Sequence, residues 1–246
     1  MFISELFHGG PKQPQNQKQA DMVVEANHTR LVVLFPGRFQ PFHRGHAQVF
    51  AKLQAKFGRD NVYISTSNST KDSKTVWNFS DRIKFMHVAG ITADRIIEQS
   101  QPLSLPPQFA PGNTIFILAR GEADAEELNV GNAKKDGNPG YFQWFKNIDD
   151  CETATEHGYV FPVSEQQDAC SINGQTYPLN RGTMVRKAWN LVRKNPTERT
   201  RLLSHLFGRV DSELGHLMDK IPAVSESCIS KHNQLFERFI AHLETF

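Results

Sequence analysis

Arg30 to Phe50 reads RLVVLFPGRFQPFHRGHAQVF, and the fold turns on how this stretch is read. Leu31 to Phe35 is an unbroken apolar run with two valines, the pattern of a strand buried on both faces of a parallel sheet. Pro36 and Gly37 stop it, because proline lacks a donor and glycine admits backbone angles that other residues avoid. Gly37 also lets the main chain come close to a ligand. Pro41 marks a second break. Beyond Gly45, the run AQVFAKLQAKF sets Val49, Phe50, Leu53 and Phe57 at helical spacing. His43 and His46 therefore fall at a strand-loop-helix junction. A helix start there presents unpaired N–H groups and the positive end of the helix dipole, which suits phosphate. In an open α/β sheet, ligands bind beyond the carboxyl ends of the strands, where this loop lies.

Working outward, NVYIST (61–66), RIIEQS (95–100), NTIFILAR (113–120) and GYVFPVS (158–164) read as further strands. FSDRIKFMHVAG (79–90) reads as a helix, with Ser80 or Asn78 as its cap. GEADAEEL opens another, its acidic residues favouring the N-terminal end. The proline-rich QPLSLPPQFAPGN is loop. Residues 129–157 are long, polar and glycine-rich around an aromatic knot, YFQWF; a connection of this length is usually functional or mobile. CSINGQTYPL (170–179) reads as a hairpin around Asn173-Gly174. From Gly182 the character turns helical, through TMVRKAWNLVRK and then PTERTRLLSHLFG, with Pro196 in a first turn. The final segment places Ile229, Phe236, Phe239, Ile240 and Leu243 on one helical face. Strands alternating with helices predict an α/β fold, a Rossmann-like doubly wound parallel sheet with C-terminal helices packed on it.

A chain of 246 residues and 27.9 kDa suffices for one such domain with a sizeable core and an appendage. The 28 basic and 26 acidic residues leave a net charge of +2, so bulk charge offers no argument for nucleic acid or membrane partners. Three scattered cysteines (Cys151, Cys170, Cys228) show no metal spacing and no disulfide framework, which fits a reducing cytoplasm. No run approaches the roughly 18 apolar residues of a membrane helix, and no secretory signal is expected. Residues 1–8, MFISELFH, form an amphipathic head, and the Gly-, Pro- and Gln-rich stretch to about Thr29 reads as linker. The head either folds back on the body or serves as a docking or address peptide. The organisation expected is head and linker over 1–29, a catalytic domain over 30–195 and a helical extension over 196–246.

The run GRFQPFHRGH (37–46) resembles the motif of the nucleotidyltransferase superfamily that carries the H-x-G-H form of the "HIGH" sequence. Its GRFQPFH form is most similar to nicotinamide-mononucleotide adenylyltransferases of the archaeal type and their bifunctional bacterial relatives. Cytidylyltransferases usually show a G-x-F-D-P-x-H-x-G-H variant. The chemistry explains the residue types. Nucleotidyl transfer builds negative charge on the α-phosphate oxygens and the leaving pyrophosphate, so catalysis is mostly positioning and electrostatic stabilisation. The resemblance implies that His43 and His46 hold the α-phosphate, that Gly37, Arg38 and Phe39 line the phosphate path, and that Gly45 belongs to the nucleotide site. NRGTMVR (180–186) resembles the family's S-G-T-x-x-R segment, with Gly182, Thr183 and Arg186 matching and Asn180 and Arg181 departing. There Thr183 is expected to cap the helix and Arg186 to clamp the leaving phosphates.

Candidate substrate contacts are Gln40, Lys74, Trp77, Arg82, Arg120 and Asp124. Trp77 reads either as a ring stacked on substrate or as core, and Arg82 either as a phosphate contact or as a solvated helix residue. Lys71 and Lys74 read either as triphosphate contacts or as ordinary surface lysines. The ARGEAD segment (119–124) departs from the family's pattern, which bears on the acceptor. The resemblance implies a nucleoside triphosphate, a phosphate-bearing small-molecule acceptor and Mg²⁺ arriving with the triphosphate rather than in a protein cage. The first expectation is adenylyl transfer to nicotinamide mononucleotide. Cytidylyl transfer to a small phosphate such as glycerol phosphate and a non-catalytic nucleotide-binding or packaged protein are the alternatives. A homo-oligomer and protein docking through residues 1–8 are candidate assemblies. The head is similar to those opening proteins packaged by large tailed phages, which would place the chain in host cytoplasm or virion.

Overall fold

β1 (Arg30–Pro36) lies at the centre of the sheet and is buried on both faces. Val33 and Phe35 join one apolar cluster and Val32 and Leu34 the other, as period-two alternation of a strand requires. The computed structural model describes residues 29–69, 75–134, 137–164 and 168–223. The head and most of the linker, Lys71, Lys74 and the C-terminal segment with Ile229 to Leu243 lie outside the described residues.

After β1 come α1 (Arg44–Phe57), β2 (Val62–Thr66), α2 (Phe79–Val88), β3 (Ile96–Glu98), β4 (Thr114–Gly121) and the short α3 (Glu122–Glu126). β5 (Phe142–Trp144), β6 (Gly158–Val163), the hairpin β7 (Ala169–Ile172) and β8 (Gln175–Pro178) follow. Then come α4 (Gly182–Val192), α5 (Pro196–Phe207) and α6 (Ser212–Asp219). Six strands form one sheet in the order β3-β2-β1-β4-β6-β5, with every pairing parallel. This is the α/β Rossmann-like architecture expected. Strand order runs from β1 through β2 to β3 one way and through β4 to β6 the other. The reversal falls between β1 and β4, and the 37–46 loop leaves the sheet at that switch point.

Local choices follow the residues. Asn78, not Ser80, caps α2: its Oδ1 accepts from the Asp81 N–H at 2.9 Å. Asn173 and Gly174 take positive φ of 51° and 82°, the geometry that a two-residue hairpin demands. Pro196 starts α5 behind the Asn195 cap, and Gly208 ends it in the left-handed region.

Two elements differ from expectation. The aromatic knot supplies β5, a three-residue edge strand paired with β6, too short to show a period. α6 is the other, a helix with Gly215 in its middle, where helix propensity is poor. That glycine packs beside Leu203 and Arg199, while Leu214, Leu217 and Met218 form the buried face.

The larger apolar cluster runs from Val33 and Phe50 through Trp77 and Trp189 to Leu202, Leu206 and Met218. The C-terminal helices thus share the core of the sheet domain. Each fully buried side chain of this size contributes about 1.5–3 kcal/mol. Among the described residues, no helix is long and apolar enough to cross a membrane.

Candidate functional site

His43 is the N-cap of α1, and it caps with a ring rather than a hydroxyl. Its Nδ1 accepts from the Gly45 N–H at 3.2 Å, and His46 Nδ1 accepts from the His43 N–H at 3.3 Å. This is a reciprocal capping box built from two imidazoles. It has a chemical consequence. A ring whose Nδ1 accepts carries its proton on Nε2, so both neutral histidines present Nε2–H donors. His43 Nε2 is buried with no hydrogen-bond partner, in a side chain only 1% exposed. The two rings lie 4.1 Å apart between centroids, close enough to serve one ligand oxygen cluster.

An aromatic cage sets the second ring. Phe39 meets His46 edge-on at 5.2 Å, and Phe42 flanks it at 5.4 Å. Phe39 holds a φ of 48°, a region that costs a side-chain-bearing residue about 1–2 kcal/mol. That backbone folds its ring over Gly37, where a Cβ would come within 2.7 Å of the ring. Gly37 is thus required by Phe39, and its own N–H bonds to the Ser65 carbonyl at 3.0 Å. Arg38 is exposed on the rim, and Gly45 is buried against the His43 ring.

Burial pushes His43 down to about 4; the nearby Asp168 carboxylate opposes this and His205 adds to it. Burial also holds His46 well below its usual value, with His43 adding to the effect. Both imidazoles are therefore neutral donors at pH 7.

The second segment arrives from far along the chain. Arg186 donates to the Gln40 carbonyl at 2.7 Å, across 146 residues of sequence. Gly182 packs so closely on the same carbonyl that a Cβ there would collide with it. The start of α4 is therefore docked on the 37–46 loop. Its first N–H groups lack intrahelical partners, as at any helix start. Thr183 does not cap this helix: the N-cap is Arg181, with no side-chain cap bond, and Thr183 is the second helical residue. Its exposed hydroxyl accepts from Arg186 at 3.3 Å.

The candidate substrate contacts divide. Trp77 is core, fully buried, with its Nε1 donating to the Leu217 carbonyl at 2.7 Å and its ring edge-on to Phe85. It is not available to stack on a ligand. Gln40 is also committed: its Nε2 donates to the Trp77 carbonyl at 2.8 Å, and its Oε1 accepts from the Val76 and Trp77 N–H groups. Arg82 is 2% exposed, neither solvated nor free for phosphate. It donates to the carbonyls of Arg38, Ser67 and Asn78 and to Thr66 Oγ1, tying together the chain ends that leave β1 and β2. Arg120 and Asp124 stand at the carboxyl end of β4 and approach each other at 3.7 Å. Lys74 lies outside the described residues.

Sequence reasoning missed Asp168 and His205, which join at 2.7 Å and whose charges act on His43. They are 37 residues apart, on the approach to the hairpin and on α5, and no spacing could have linked them.

A cytidylyltransferase-like family model matches residues 34–109, from β1 through β3 to the loop beyond. Over these residues the chain is similar to cytidylyltransferase-like domains of the nucleotidyltransferase superfamily, and the match indicates a nucleotidyltransferase. It includes His43 and His46 and ends before Gly182 to Arg186. No curated protein matches the chain.

Proposed function

We propose that this chain transfers a nucleoside monophosphate from ATP to nicotinamide mononucleotide, releasing pyrophosphate. The observation that carries the reading is the imidazole capping box, which commits both Nδ1 atoms to the backbone, so that each neutral ring carries an Nε2–H donor, that of His43 buried without a partner. An acceptor phosphate oxygen attacks the α-phosphorus, the new P–O bond forms, and the bond to the β-phosphate oxygen breaks. His43 and His46 donate to the α-phosphate oxygens as charge grows there. Phosphate beside the rings raises their proton affinity, so the donors strengthen as the substrate binds. Arg186 and the N–H groups at the start of α4 receive the departing pyrophosphate. Gly37, Arg38, Phe39, Gly45, Gly182 and Thr183 shape the nucleotide path, while Arg120 and Asp124 lie at the strand end where an acceptor can approach.

Magnesium enters this scheme with the triphosphate. No group of three or more His, Cys, Asp or Glu that could hold a metal ion occurs among the described residues, and an ion bridged by phosphate oxygens needs no such cage. Bound there, it would neutralise charge on the triphosphate.

A second reading is cytidylyl transfer to a small phosphate such as glycerol phosphate, favoured by the description of the matching family. A pyrophosphate-release assay with ATP and CTP against both acceptors separates the two. Release with ATP and nicotinamide mononucleotide supports the first reading, and release only with CTP replaces it. Nucleotide binding without release from any pair would make the chain a non-catalytic module. His46→Ala is expected to abolish release with the fold intact; unchanged turnover overturns the role given to the ring.

A further inference from the structure

A cleft of about 520 Å³ opens beside the first turn of α1, between that turn, β7 and α5. Arg44, Ser171, Arg201, Ser204 and His205 line it. Apart from His205, whose charge bears on His43, none of these residues was assigned a role above, and apart from Arg44 they fall outside the matched segment. We propose that this cleft is a phosphate-binding subsite, assembled by the hairpin and the C-terminal helices and opening against the candidate catalytic turn. The inference rests on the nucleotidyltransferase reading only for the identity of the ligand, not for the existence of the site.

The side-chain chemistry carries the argument. Two guanidinium groups and two hydroxyls face one concavity, and guanidinium matches phosphate geometry through paired N–H donors. Each nearby carboxylate meets a cation through one oxygen, while Asp168 Oδ2 and Glu198 Oε2 are buried without a hydrogen-bond partner. Asp168 Oδ1 meets His205 Nε2 at 2.7 Å, and Glu198 lies 3.7 Å from Arg201, one turn back on α5. Arg44 has no carboxylate partner among the described residues, although it follows His43 directly. An unpaired arginine beside a catalytic turn leaves its charge for a ligand.

The walls are fixed before any ligand arrives. The Asp168–His205 contact joins the approach to the hairpin with α5, and the Leu179 N–H donates to the Asp168 carbonyl at 2.6 Å. Leu202, Leu203 and Leu206 anchor α5 in the core beneath the cleft, and the buried Cys170 forms part of its floor. Arg201 and Ser204 therefore stand one turn apart on a rigid helix, facing Arg44 and Ser171.

Two sources could supply the phosphate: the pyrophosphate end of the nucleotide, or a separate phosphate-bearing ligand. The test titrates the full chain with inorganic pyrophosphate and with inorganic phosphate by calorimetry at low salt. Arg44→Ala and Arg201→Ala are each expected to weaken binding at least tenfold. Arg59→Ala, just past the far end of α1, serves as the control for lost net charge and is expected to change it less than twofold. Urea midpoints establish that each variant is folded, and Ser204→Ala tests the hydroxyl where an arginine variant fails to fold. Equal affinity in the wild type, Arg44→Ala, Arg201→Ala and Ser204→Ala overturns the subsite, as does an equal loss in Arg59→Ala. Competition by a non-hydrolysable nucleoside triphosphate assigns the site to the nucleotide; simultaneous binding assigns it to a separate ligand. Pyrophosphate release by the wild type is scored independently, so the subsite can fail while the nucleotidyltransferase reading stands, and the reverse.

Discussion

Acid should destabilise this protein through one buried ring. His43 is 1% exposed, and its pKa falls from 6.5 to about 4 on folding. The unfolded chain therefore binds a proton at this site over a window where the folded chain refuses it, and stability drops as pH falls. The contribution is fully present above about pH 6.5 and lost progressively until pH 4. A drop from 6.5 to about 4 corresponds to roughly 3 kcal/mol, of which about 2 kcal/mol is lost between pH 7 and pH 4.5. His43→Asn isolates the effect. Asparagine is a strong N-cap whose side-chain oxygen can accept from the Gly45 N–H, yet it does not titrate. The smaller side chain will shift stability at every pH, so the readout is the slope and not the offset. Urea unfolding followed by fluorescence suits the measurement, because Trp77 and Trp189 are fully buried and change environment on unfolding. Wild type should lose about 2 kcal/mol more than His43→Asn from pH 7 to pH 4.5. Parallel stability curves for the two proteins would refute the burial argument, and with it the claim that the ring is neutral at pH 7.

Three other substitutions probe the supports of the site. Gly182→Ala puts a methyl group into the Gln40 carbonyl and should cost about 1–3 kcal/mol as well as most of the turnover, read by urea midpoint and pyrophosphate release. Arg82→Lys leaves several of the Arg38, Ser67, Asn78 and Thr66 acceptors unpaired; a loss of about 2–4 kcal/mol is expected, and a midpoint within experimental error of wild type would contradict it. Trp77→Phe removes the bond to Leu217 and part of the core, for about 1–3 kcal/mol, but should leave KM for nucleotide and acceptor unchanged below the melting range. A large KM change there would return Trp77 to the substrate site.

Much of the sheet was legible because its strands are buried on both faces. Val32 to Phe35 and Phe116 to Ala119 are continuous apolar runs, a pattern few other structures require. β5 was not, since three residues at an edge carry no period, and α6 hid behind a central glycine that helix propensity penalises. At the site, the histidine pair could be located at the junction that opens α1, yet its tautomers depend on bonds to two backbone N–H groups that a sequence does not display. Gln40, Trp77 and Arg82 looked like ligand contacts because they are polar or aromatic residues close to a loop. Packing and carbonyl acceptors claimed them instead, and such claims arise only from tertiary neighbours.

The contact between Arg186 and the Gln40 carbonyl also sets a timetable for synthesis. A nascent chain that has emerged only through β6 contains the whole parallel sheet and both histidines, but lacks the helix that docks on their loop. The Trp77 bond to Leu217 waits longer still, for α6. The loop that carries the histidines is thus completed by an arginine 146 residues further along the chain. On the ribosome, the sheet can form well before a finished site exists.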